Sequence, residues 1–91
     1  MSWNQDRLVA WIIGEFLRDH RIDLSNDEMA MKRVKEAAEK AESELHSATS
    51  TNIKLPFITA DASGPKHLNI SLTRARFEQI ITEFARQPGS H

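Results

Sequence analysis

Glu39, Glu42 and His46 recur at intervals of three and four residues, which places two carboxylates and one imidazole on a single face of a helix. Such a trio could ligate a divalent cation, but on an exposed helix it reads first as a solvated ion-pair cluster, so no metal and no cofactor is assigned. Nucleophilic catalysis needs a hydroxyl paired with a base. His20, His46 and His67 fall in different predicted elements, and none stands at a motif spacing from a nucleophile, so no catalytic residue is assigned and the chain is read as a non-enzyme. Lys32, Arg33 and Lys35 form a short basic run, yet Glu36, Glu39 and Glu42 follow at once, which describes a solvated helix face better than a nucleic-acid site.

The remaining group is apolar and aromatic. Trp3, Ala10, Gly14, Leu17 and Arg21 are separated by seven, four, three and four residues and so lie along one helical stripe, with Trp11 and Arg18 beside it. Leu8, Ile12 and Phe16 supply a buried face, which turns this stripe outward. A glycine inside a helix is about 1 kcal/mol less favourable than alanine. Ala10 and Gly14 leave a shallow trough flanked by residue types that are enriched at binding hot spots. The pattern predicts docking of a protein partner or a second copy of the chain. His46 is counted with the docking set, where its charge change between about pH 5 and 8 would make binding pH-dependent. The plainer alternative is that Trp11 and Leu17 only widen the core stripe.

Helices and strands must position these residues. Ser2 and Gln5 have capping-box spacing, and the periodic apolar residues after them predict a first helix to about His20. Ser25 to Glu28 repeats the device, with Leu24 and Met29 placed as a hydrophobic staple; Val34, Ala37, Ala38, Ala41 and Leu45 then continue a second helix. From Thr51 the period falls to two. Ile53, Leu55 and Phe57 form the buried face of one strand and Leu68, Ile70 and Leu72 that of another, with Pro56 arguing for an edge and Asp61 to Lys66 for a longer exposed loop. Thr73 caps a third helix whose stripe is Phe77, Ile80, Ile81 and Phe84. The order ααββα predicts a two-layer α+β fold with the helices on one face of a small antiparallel sheet.

Ninety-one residues hold one small domain, read here as residues 1–88, with Gly89 to His91 resembling the start of a purification tag. Hydrophobic residues at 40% and charged residues at 27% suit a folded chain. Twelve basic against thirteen acidic residues leave a net charge of -1, so no overall field favours nucleic acid or anionic lipid. The longest apolar run, Leu8 to Ile13, is far short of the roughly 20 residues that span a bilayer, and no membrane partner is expected. The absence of cysteine suits a reducing compartment and equally a recombinant product.

Ile22 to Glu78 resembles the seventy-kilodalton heat-shock chaperones of the bacterial DnaK and mitochondrial type. The segments that carry the likeness are Ile22-Asp23-Leu24-Ser25, Glu36 to Ala41, the ungapped run from Leu55 to Asn69, and Leu72-Thr73-Arg74-Ala75. With a looser likeness over Leu8 to Phe16, nearly the whole chain looks like subdomain IIB of the ATPase domain. The resemblance implies a cytoplasmic or mitochondrial-matrix parent whose phosphate loops, magnesium carboxylates and peptide-binding domain have no counterpart here. It also implies an adenosine-facing side and a surface for the nucleotide exchange factor GrpE, the latter on the turn from Asp61 to His67. Of the family's adenosine contacts only Glu39 is matched. Glu42 replaces a lysine, Ser43 follows it, and His46 replaces a serine. An anion beside a negative nucleotide is unfavourable, so adenosine binding is expected to be weak or lost. The family usually carries charged residues at the positions of Ala10, Gly14 and Leu17 and a glycine at that of Arg21. These co-located departures predict an excised, re-engineered subdomain; a fragment that keeps GrpE or weak adenine-nucleotide binding is the alternative.

Overall fold

The computed structural model describes residues 3–85. Three expectations lie outside what is described: the capping role of Ser2, the burial of the Phe84 side chain, and the tag-like character of Gly89 to His91.

Helix α1 (Trp3–His20) carries Leu8, Ile12 and Phe16 at helical spacing and buries all three. A 3-10 turn (Leu24–Asn26) leads into α2 (Glu28–Leu45), which buries Ala30, Val34, Ala38, Ala41 and Leu45. Strand β1 (Ser50–Asp61) pairs antiparallel with β2 (Gly64–Thr73), and α3 (Arg74–Ala85) follows. Helix α2 packs on β1, α3 on β2, and α1 against both helices. The opposite sheet face, with Asn52, Lys54, Asn69 and Ser71, is exposed. This is the expected ααββα two-layer α+β fold. Phe77 and Ile80 from α3 close one continuous core with Leu24, Leu68 and Leu72.

Three local expectations are corrected. The N-cap of α2 is Asp27, whose Oδ1 accepts the Ala30 N–H at 3.1 Å, while Asp23 caps the 3-10 turn through Ser25. Displacing the cap by two residues leaves Met29 76% exposed, so it does not staple to the buried Leu24. The loop between the strands is shorter than expected: pairing runs to Asp61 opposite Gly64, leaving Ala62 and Ser63 as a two-residue turn, with Gly64 at φ +117 taking a conformation that glycine readily adopts. In β1 the alternation breaks after Leu55. Leu55 faces Leu68 and Thr59 faces Lys66, so Pro56, Phe57 and Ile58 oppose His67 alone. The bulge turns Phe57 outward, to 68% exposure, and buries Ile58 in its place. Thr73 caps α3 as expected, its Oγ1 accepting the Arg76 N–H at 3.0 Å.

Asp23 and Asp61 perform the same task at two turns. Each accepts bonds from the hydroxyl and the N–H of the serine two residues on, and those bonds hold each carboxyl below its usual value of 3.8. Because the folded-state value is the depressed one, the turn contacts are present above pH 3.8 and are lost as pH falls through the native value. The Ser25 and Ser63 amide shifts should therefore titrate in NMR with midpoints below 3.8; midpoints at or above it would contradict the assignment.

Candidate functional site

The inward turn of Leu8, Val9, Ile12 and Phe16 leaves the opposite side of α1 to solvent. Trp3 is 57% and Leu17 43% exposed, and Ala10 and Gly14 between them are exposed as well. The Arg7 guanidinium lies over the Trp3 ring at 3.3 Å from the centroid, a cation–π contact that favours this orientation of the indole. Beyond Leu17, Arg18 pairs with Glu15 and stands 3.7 Å from Asp19. The helix ends where the Arg21 N–H donates to the Leu17 carbonyl at 2.8 Å with Arg21 at φ 60, a left-handed terminus. The exposed strip thus runs from an oriented indole through a side-chain-poor trough to an isobutyl group flanked by arginines.

Trp11 is placed differently from Trp3. It is half-buried and packs against the core, with the Arg76 guanidinium of α3 5.9 Å from its ring. Its Nε1 is buried and has no acceptor among the described residues. For this indole the core-widening alternative describes the packing, while Trp3 and Leu17 remain on the open side. His46 is exposed at the end of α2, its N–H near the Ser43 carbonyl at 3.2 Å, and no described contact joins it to the α1 strip.

Glu39, Glu42, Ser43 and His46 share a face of α2, with Glu42 half-buried and the others exposed. Among the described residues no group of three or more His, Asp or Glu side chains is arranged to hold a metal, and no helix is long and apolar enough to cross a membrane. An open groove between α2 and β1 is floored by Ala37 and Ala41 and rimmed by charges of both signs, Arg33, Lys40 and Lys54 against Glu36 and Glu44. Mixed signs give it no preference for an anion.

Two residues of the strip work against the stability of the helix that carries them. A Cβ built on Gly14 meets nothing within 4 Å, so the fold has room for alanine and the glycine forgoes about 1 kcal/mol. Arg21 occupies a left-handed position where glycine would relieve about 1 kcal/mol. Exchanging both, Gly14→Ala with Arg21→Gly, should raise unfolding stability by about 2 kcal/mol in denaturant titration, since the sites are separate enough to add. A gain below about 0.5 kcal/mol would show that the strip carries no such penalty.

The fold and these placements define a small α+β domain with an exposed strip on its first helix. The model for the Hsp70 protein family matches residues 2–88, and the chain belongs to that family. The match supports a fragment of an Hsp70-family ATPase domain, and hence a chaperone fragment.

Proposed function

We propose that this chain is a non-enzymatic protein-binding module, a re-engineered subdomain IIB of a DnaK-type ATPase domain, that docks a protein through the outer face of α1. The observation that carries the reading is the pair Gly14 and Arg21: two positions on one exposed strip, two helical turns apart, each hold the less stable choice. Residues that break a local rule without relief from their own fold belong at functional sites. Trp3 is the oriented aromatic anchor, Leu17 the second apolar contact, and Ala10 with Gly14 the floor that lets another backbone come close. Arg18 and Arg21 form the polar rim, and Trp11 supports the floor from the core side. His46 contributes only where a partner reaches past α1 to the end of α2; equal affinity at acid and neutral pH would remove it from the site.

The test is alanine substitution at Trp3, Trp11, Leu17 and Arg21, read against a panel of chaperone domains and co-chaperones, including GrpE, and against the chain itself by sedimentation. Affinity changes at two or more positions support the docking face. Binding to GrpE that is insensitive to all four, but lost on changing the hairpin end from Asp61 to His67, would replace this reading with that of an exchange-factor fragment.

A further inference from the structure

Phe57 stands at φ 54, a conformation that a bulky residue holds only when its surroundings over-determine it. Three ties do so. Its N–H donates to His67 Nδ1 at 2.8 Å, its carbonyl accepts from Arg33 Nη1 of α2 at 3.1 Å, and its ring meets the His67 imidazole edge-on with centroids 4.7 Å apart. The first tie has a chemical condition the others lack. Nδ1 accepts only as a lone pair, so the ring must be neutral with its proton on Nε2. Protonation would set an Nδ1–H against the Phe57 N–H, two donors face to face.

We infer that His67 is a proton-operated latch on the β1 bulge, holding Phe57 in its left-handed, outward conformation while neutral and releasing it when protonated. The charged and titratable groups around the ring come from every side of it. Asp19 and His20 of α1 line the same shallow depression, Lys66 precedes His67 in β2, and Arg33 of α2 reaches the carbonyl of the same residue, Phe57; Pro56, Phe57 and Ile58 of β1 bring none. Whatever the balance of these charges, the acceptor lost on protonation is Nδ1. The latch lies on the strand that packs against α2 and does not depend on what docks on α1.

Nitrogen-15 spectra of the imidazole in the intact protein, with amide exchange of Phe57, test this directly. At about pH 7.5 the Nε2–H tautomer should dominate. Between that pH and about pH 5, Phe57 protection, corrected for intrinsic exchange, should fall roughly tenfold while the paired stretch from Ser50 to Leu55 keeps its own. His67→Phe keeps an aromatic edge without the acceptor and should show low Phe57 protection at both pH values. An Nδ1–H tautomer at neutral pH, or Phe57 protection in the unsubstituted protein that ignores pH, would overturn the latch whether or not the variant folds.

Discussion

Replacing Trp3 and Leu17 together by alanine should weaken partner binding by about two orders of magnitude or more, with little change in thermal midpoint. The binding effect follows from truncating two exposed apolar side chains, the indole in the range where a hot-spot truncation costs about 2 kcal/mol and the isobutyl group about 1 kcal/mol. The small stability effect follows from their position: both project from the side of α1 opposite the buried Leu8, Ile12 and Phe16, so their loss opens no cavity. Arg7 would lose its indole platform, an exposed contact worth about 0.5–1 kcal/mol. Binding titrations paired with thermal melts check both halves. Loss of binding together with a collapse in melting temperature would mean that the strip serves the fold and not a partner.

Arg74→Ala should cause the largest loss of stability outside the apolar core. This arginine opens α3, but its side chain serves the end of α2 and the connection after it: Nε donates to the Leu45 carbonyl and Nη2 to the Ala48 carbonyl, each at 2.9 Å, in a partly buried setting. Its own N–H donates to the Thr49 carbonyl at 2.9 Å. The guanidinium therefore meets the negative end of α2, where the last carbonyls have no partner within the helix, and ties that end to the start of α3. Two bonds from a charged donor make the cost about 3 kcal/mol, allowing for overlap between them. On a domain of this size that is roughly a 15 °C fall in melting temperature. Arg74→Lys can restore only one of the two bonds and should recover about half. A loss below about 1 kcal/mol for the alanine variant would mean that water replaces the guanidinium at those carbonyls.

The helices were legible because their signal is periodic and local: Leu8, Ile12 and Phe16, or Val34, Ala38, Ala41 and Leu45, name the buried side without reference to anything else. The departures occur where two segments must agree. A period of two along β1 predicts Phe57 inward, but the register is set by β2, where His67 alone faces three residues. Asp23, Ser25 and Asp27 all offer capping chemistry within five residues. Burying Leu24 decides among them, and that burial is a tertiary event. The exposed strip was legible from spacing alone, whereas Trp11 was not, since at its angle on the helix the packing at its margin determines how much indole is covered. The left-handed turn at Arg21 is not signalled by the residue there, which disfavours it; only the glycine that the family resemblance puts at this position points to it.

Backbone chemical-shift mapping on the nitrogen-15-labelled chain tests the docking face most directly, with three additions made separately: more of the chain itself, GrpE, and ADP. The expected result is that whichever protein addition produces shifts moves the amides of Ala10, Gly14, Leu17 and Arg21 first, and that ADP leaves Glu39, Glu42, Ser43 and His46 in place. Shifts confined to the hairpin end from Asp61 to His67 with GrpE, shifts along the α2 face with ADP, or a silent α1 in every titration would contradict it.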